Sequence, residues 1–489
     1  MSRISVRDTD LQERFAAIVG EKNAIVEPAQ LRTYEADGLA AFRVRPKIVV
    51  LPSSTEDVCA VVRLARALEM PIVPRGAGTG LSGGALPIEG GIVVGLARMN
   101  RILDVDLPNQ RMRVQPGVVN LDVSKRIATM GYYYAPDPSS QSVCTIGGNV
   151  AENSGGAHCL KYGFTVHHVT AVRLVTDEGE VMDIGSPIAD PPGYDLLSVI
   201  VGSEGMVGIV TEVVVRLLRR PQATRTFFAT FPSTDEAGAT VSAIVARGIV
   251  PAAIEMMDKL AIEAIVAATG LDWPLDVGAA LLMEVDGPVA EAEHTAELAT
   301  ACARACGAVE VRTPRDEKER ALMWMGRRSA FAAVGRISPQ YYVQDGVIPR
   351  SRIGLVLREI ALLAAREGLR VANVFHAGDG NLHPLVLYDA RVPGEEQRAE
   401  RAGGEILRVC LKYGGSITGE HGVGADKTAY MGEMFTEADL TAMNDVRCAF
   451  DPYRAFNPSK VFPTPRLCGD RPGTYVPHPA ELSGHAGRG

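Results

Sequence analysis

The sequence predicts an α+β fold, on three observations. Short apolar strands alternate with helical stretches along both halves. Glycine-rich loops interrupt the first half beside those strands. After Arg219-Arg220-Pro221 the composition changes and the alternation becomes more regular. The length of 489 residues suggests about three units at roughly 150 residues each. A chain this long can bury a large core without staples. With 46 % apolar residues, 22 % charged residues and 50 glycines, disorder, collagen and small disulfide scaffolds are excluded. A net charge of −8 leaves no basic footprint for nucleic acid.

Taken in order, Lys47 to Leu51 reads as a strand. Ser53 to Glu56 supplies cap-like residues for a helix through Glu69. Pro71 to Pro74 is a second strand, completing one β-α-β unit. The loop Gly76 to Gly84 follows. Strands recur at Ile92–Leu96, Ile102–Asp106 and Met112–Gln115, with a helix near Leu121–Met130. Val169–Thr176 and Glu180–Ile184 flank Asp177-Glu178-Gly179, a hairpin signal. Val207–Leu218 is a long strand.

In the second half, Phe227–Phe231 is a strand, Ser233–Arg247 a helix, Ala252–Met257 a strand and Lys259–Ala268 a helix. Leu281–Val285, Ala290–Cys306 and Val309–Arg312 continue the pattern. This predicts an antiparallel-containing sheet with helices on one face. Val371–Phe375 and Leu382–Leu387 form a hairpin, Glu395–Tyr413 a helix, and the proline-rich tail after Asp451 is irregular.

Met1 to Arg14 has no apolar stretch of signal-peptide type. Leu196 to Leu218 is too interrupted by Glu204, Glu212 and Arg216 to span a membrane. The eight cysteines, Cys468 among them, are dispersed without a CxxC. The expectation is a cytosolic chain without an iron–sulfur cluster of its own.

Arg75 to Ala85 reads RGAGTGLSGGA, and Gly78, Gly80 and Gly83 satisfy GxGxxG. A nicotinamide-dinucleotide fold needs a helix directly after such a loop. Pro87, Gly90 and Gly91 forbid one, and Arg98 and Asn100 stand where an acidic ribose partner belongs. The same glycines can instead form a nest of backbone N–H groups for a pyrophosphate. TIGGNVAENSGG (Thr145–Gly156) and GSEGMVG (Gly202–Gly208) share the character. Glycine beside apolar elements is costly unless something approaches the backbone. Three such segments argue for one long cofactor threaded between two subdomains.

The motifs PRGAGTGLSGG, PDPSSQ, IGGNVAENSGG and GSEGMVGIVTEV resemble the FAD-linked oxidases of vanillyl-alcohol oxidase type, and the likeness runs through nearly the whole chain. The family includes glycolate-oxidising members and D-lactate and D-2-hydroxyglutarate dehydrogenases. The resemblance implies a two-subdomain FAD-binding domain of the PCMH type and a ferredoxin-like substrate or cap domain. The expected division is a helical segment over 1–42, the FAD domain over 43–221, the cap over 222–414 and a segment over 415–489 that returns to the flavin. It implies that Arg75, Gly76, Ala77, Gly78, Thr79, Gly80, Leu81 and Ser82 cradle the FAD pyrophosphate. Pro136, Asp137, Ser140, Ser142, Gly147, Gly148, Asn149, Asn153, Glu204, Gly208, Ile209, Val210 and Asn457 would line the rest. Members that bind FAD covalently often carry a His in the first loop. Thr79 stands there and the loop has no His or Cys, so the flavin is expected to be non-covalent.

Phe375 to Pro384 reads FHAGDGNLHP. With Asp379-Gly380 as the two-residue centre of a hairpin, 377 pairs with 382 and His376 lies opposite His383. Directly opposed residues point to one face with Cβ atoms ~5 Å apart, which suits two imidazoles on one metal ion. Gly414 to Gly424, GGSITGEHGVG, adds Glu420 and His421. Two His and one carboxylate leave coordination positions open, as a catalytic ion requires. By the resemblance, His376, His383 and Glu420 would bind Zn²⁺ or Mn²⁺, His421 would be the general base, and Asn381 would position the substrate. Arg327 or Arg328 of MWMGRRS is the candidate clamp for a substrate carboxylate, with the family pattern favouring Arg327.

The expected reaction is FAD-dependent oxidation of a short 2-hydroxy acid, glycolate or D-lactate, to the 2-oxo acid. The 341–345 stretch lacks an extra cation for a second carboxylate, which weighs against a 2-hydroxyglutarate-type dehydrogenase. A non-catalytic FAD-binding partner subunit is the other alternative. The resemblance also implies a second FAD-type subunit and an iron–sulfur subunit that pass electrons toward quinone, at the inner face of the membrane.

Overall fold

The computed structural model describes residues 8–39, 41–186 and 193–463. The N-terminal reading over Met1–Arg7, Cys468 and the last part of the tail lie outside the described residues.

The first sheet has the order Ala24–Ile25, Ile48–Val50, Ile92–Gly95, Ile72–Arg75. Ile48–Val50 and Ile72–Arg75 both run parallel to Ile92–Gly95, which lies between them. The crossover between the two outer strands is the helix Thr55–Ala67, whose Ser54 side chain accepts from the Asp57 N–H. Val58, Val61, Val62 and Ala65 of that helix are fully buried, burying its apolar stripe against Ile48, Ile72 and Ile92. The Arg75 loop leaves the carboxyl end of its strand, where ligands of open parallel sheets sit. No helix follows the loop, as Pro87, Gly90 and Gly91 require. The chain comes back to this sheet near its end: Phe456 bridges Ile72, with Ile72 N–H on Ala455 O and Asn457 N–H on Ile72 O, both 2.7 Å.

The second sheet is antiparallel, in the order Ile102–Asp106, Arg111–Val114, Ile209–Arg216, Val169–Val175, Val181–Gly185. The hairpin around Asp177-Glu178-Gly179 forms as its turn residues predict, with Val175 opposite Val181. The helix Ile146–Glu152, capped by Thr145, packs against this sheet. Its end is set by Asn153 in the left-handed region, φ +50°.

The third sheet has seven antiparallel strands in the order Glu310–Arg312, Ala223–Phe231, Ala279–Gly287, Ala253–Asp258, Arg370–His376, Pro384–Tyr388, Gln340–Val343. The expectation of helices on one face is corrected here. One core holds Phe227, Phe231, Met256, Leu281, Met283 and Phe375. The opposite core holds Phe228, Met257, Ala280, Leu282 and Val374, with helix residues Ile262, Ile265, Met323 and Trp324. Successive strand residues alternate between these clusters because the strands are apolar at every position rather than at every second one. Such strands must be covered on both sides. Two elements of this region were not read from the sequence: the edge strand Gln340–Val343 and the helix Ile353–Glu367.

Candidate active site

One cavity runs along the mouth of the first two sheets. Its wall includes Arg75 to Leu81, Ser140, Gly147 to Asn149, Glu204, and Gly208 to Val210. Phe331, His383, Glu420 and His421 close its far end. The backbone N–H groups of Ala77, Gly78, Thr79 and Gly80 donate to no described residue, and Gly78 holds φ +70°. This is the nest an anionic pyrophosphate needs. Asn149 Nδ2 is buried beside it without a partner, and a Cβ at Gly80 would meet nothing within 4 Å. The walls therefore fit a long dinucleotide-like cofactor.

Several residues expected to line the cofactor sit outside this wall. Ser82 is buried and donates to the His421 carbonyl at 2.8 Å. Asn153 caps a helix and accepts from the Val166 N–H at 2.9 Å. Asn457 donates to Gly84 O and Glu204 O at 2.8 and 2.7 Å. Pro136 O accepts from Asn120, Asp137 faces a second cavity, and Ser142 is exposed.

The expected hairpin register is corrected. Asn373 pairs with Pro384 and His376 bridges Asn381, so the loop spans residues 377–380 rather than Asp379-Gly380 alone. His376 is then diagonal to His383, not opposite it. The error is two residues, and because side chains alternate with a period of two it leaves both imidazoles on one face. Their ring centroids are 5.1 Å apart.

His376 Nε2 and His383 Nε2 each lie 3.3 Å from Glu420 Oε1, and the three side chains converge within 4.8 Å. Both Nε2 atoms are buried without a hydrogen-bond partner. The other nitrogen of His376 is held by Glu255 at 2.7 Å, the carboxylate–imidazole arrangement that orients a metal ligand. Burial works against a charge on Glu420, but His376 and His383 outweigh it and hold its carboxyl well below the usual range. The donor set fits a divalent ion with open positions.

His421 stacks on His383, centroids 4.9 Å apart and rings 3° from parallel. Its Nε2 is 3.7 Å from Glu420 Oε1. Burial lowers its pKa to about 4 against the opposing pull of Asp345. Asn381 is buried against Gly419, whose missing side chain makes room: a Cβ there would lie 2.5 Å from Asn381 Cγ.

Arg327 is buried and pairs with Glu255 Oε2 at 2.5 Å, so its charge is already answered by a carboxylate. Arg328, one position on, is exposed. Burial alone would raise Glu255; Arg327 and His376 reverse this and lower it.

Sequence reading missed the groups that hold the site in shape. Asp345 is fully buried, and its Oδ2 accepts the backbone N–H groups of Gly419, Glu420 and His421 at 3.0, 2.9 and 2.8 Å. Its other oxygen meets Lys427. Despite burial, Lys427 and these donors lower its pKa to about 2. Glu204, expected to line the cofactor, also clamps the next turn through the Val423 and Gly424 N–H groups, both at 2.7 Å. One signal was available for Asp345: a lone acidic residue in an apolar strand end.

A family model described as "FAD binding domain" matches residues 46–185, and one described as "FAD linked oxidases, C-terminal domain" matches 220–461. The chain is 49 % identical to the glycolate oxidase subunit GlcD of Escherichia coli, over 91 % of this chain and 89 % of that one. It is 31 % identical to a D-lactate dehydrogenase of Anaerostipes hadrus, over 92 % and 97 %. Among solved structures, 4-ethylphenol oxidase from Gulosibacter chungangensis superposes with a TM-score of 0.80 at 19 % identity, over 95 % of this chain and 98 % of that one. p-Cresol methylhydroxylase superposes with a TM-score of 0.79 at 17 % identity, over 93 % and 96 %. FAD is thus the cofactor that the nest and groove are built for, on a PCMH-type fold, and the chain belongs to the family of FAD-linked oxidases.

Proposed function

We propose that this protein oxidises a short 2-hydroxy acid, glycolate or D-lactate, to the corresponding 2-oxo acid. The observation that carries this reading is the placement of His383, Glu420 and His421 in the wall of the FAD groove itself. A purely structural flavin subunit has no need of ionisable groups there. The names of the relatives, glycolate oxidase subunit and D-lactate dehydrogenase, agree with it. When bound, FAD supplies a two-electron acceptor and a divalent ion a Lewis acid that acidifies the substrate hydroxyl.

The chain's own residues do the rest. His421 accepts the hydroxyl proton at an imidazole nitrogen. Its position is fixed from two sides: His383 stacks on the ring, and Asp345 ties down the backbone N–H. His376, held by Glu255, His383 and Glu420 supply the ligand set. Asn381 places a polar amide beside them, and its Oδ1 is buried without a partner. Arg327 or Arg328 meets the substrate carboxylate. The flavin is held non-covalently, since the first loop offers no His or Cys.

Electrons leave through partner chains, a second FAD-type subunit and an iron–sulfur subunit, on the cytoplasmic side of the membrane. Among the described residues no helix is long and apolar enough to cross a membrane, so any membrane attachment by these residues would run through the partners. The test is anaerobic reduction of the bound flavin. His421→Ala should retain FAD yet lose bleaching by glycolate or D-lactate at least 100-fold in rate. Full bleaching in that variant would remove His421 from the mechanism.

A further inference from the structure

A second cavity lies on the other side of His376 and Arg327 from the FAD groove. Its volume is about 160 Å³, roughly tenfold what one water requires. The helix Glu317–Val334 lines it with Arg320, Trp324, Arg327 and Arg328, and its opposite wall carries Asp137 and His158. Arg320, Trp324 and Arg328 are four residues apart, so one helix face presents them together.

The charges in this cavity do not balance. Glu255 is taken by Arg327 and His376. Glu284 is taken by Arg320 at 2.9 Å and by the Trp324 indole N–H at 2.8 Å. Asp137 is taken by His158 at 2.7 Å, and the other nitrogen of that ring lies 3.5 Å from Glu284. Arg328 has no hydrogen bond or ion pair with any described residue. A guanidinium facing a partly enclosed cavity, with every nearby carboxylate engaged elsewhere, attracts an anion. Its planar fork matches a carboxylate.

We propose that the second cavity is a carboxylate subsite whose cation is Arg328. This rests on the reading of the protein as a hydroxy-acid oxidase, and it extends it. The carboxylate belongs either to an incoming short acid, held before it reaches His421, or to the far end of a longer 2-hydroxy dicarboxylic acid.

Trp324 provides a readout independent of turnover. The chain has only two tryptophans. Trp273 is buried against Phe228, and Trp324 lines the cavity, stacked on His158 at 5.7 Å. In the FAD-loaded Trp273→Phe protein, acetate and succinate, neither of them oxidisable, should produce a saturable change in Trp324 fluorescence. Arg328→Gln should weaken that binding at least tenfold, and Arg328→Lys should keep it within about threefold. Arg328 is exposed, so these variants should fold.

Bleaching rates then separate the two sources. A loss for glycolate and D-malate alike in Arg328→Gln assigns the site to the incoming acid, and a loss for D-malate alone assigns it to a distal carboxylate. No saturable fluorescence change, or identical affinities in wild type and Arg328→Gln, would overturn the subsite. Fluorescence binding intact in a protein that no hydroxy acid bleaches would overturn the proposed function and leave the subsite standing.

Discussion

At the scale of single residues, the groups that do chemistry and the groups that hold them differ in how visible they are. His376, His383, Glu420 and His421 stand out because imidazoles and a carboxylate recur within short glycine-fenced motifs. Asp345 and Glu255 do not. Asp345 acts on residues 74 to 76 positions away, and Glu255 on one 121 away. No local pattern encodes a contact of that range. Their energetic weight is nonetheless large, because each is a buried charge that depends on its partner. Asp345→Asn should strand the Lys427 ammonium in a buried site and loosen the 419–421 backbone. The expected cost is about 3–5 kcal/mol, seen as a clear drop in the thermal midpoint. Lys427→Met in the same chain should restore part of it, since the uncompensated charge is then gone. Additive losses in the double variant would show that the two groups are not coupled.

At the scale of elements, periodicity located the strands and helices well, and turn geometry was the weak point. The hairpin around Asp177-Glu178-Gly179 has its expected place, whereas the one that carries His376 and His383 has a four-residue loop instead of two. The reason is tertiary. Gly378 N–H bonds to Ile254 O at 3.1 Å, and Ile348 N–H to Gly380 O at 3.0 Å, so neighbouring strands fix the loop. Gly380 holds φ +83°, and a Cβ there would lie 2.1 Å from the Ile348 carbonyl oxygen. Gly380→Ala should therefore cost about 1–3 kcal/mol in backbone strain alone. It should also displace the two imidazoles relative to Glu420. The checks are the thermal midpoint and the divalent metal retained per chain after gel filtration. Unchanged stability with full metal content would show that the loop adapts without moving its histidines.

At the scale of the whole molecule, the FAD groove and the seven-stranded sheet must keep a fixed relation, because the candidate ligands sit on one and the nest on the other. The strand Ala279–Gly287 is where they are joined. Tyr162 donates to Asp286 Oδ2 at 2.7 Å, and Lys161 meets the same carboxylate. Two residues back on the same face, Glu284 accepts from Thr226 and Trp324 and faces His158. His158 in turn holds Asp137 through its ring and its backbone N–H. Burial disfavours a proton on His158, but Asp137 and Glu284 outweigh it and raise its pKa well above the usual value. A raised folded-state pKa means that the junction's stabilisation is complete below about pH 6.5, the value expected in the unfolded chain. It is then lost as pH climbs through the higher folded value. His158→Gln keeps the size and one donor but removes the charge. Its deficit in urea denaturation should be about 1.5–3 kcal/mol at pH 6, the range for hydrogen bonds to charged groups, and should narrow at pH 9.5. Comparing the two proteins at each pH cancels the titration of every other group. A deficit that stays constant or widens at high pH would mean that the junction is held by packing against Trp324, and that the proton on His158 contributes nothing to it.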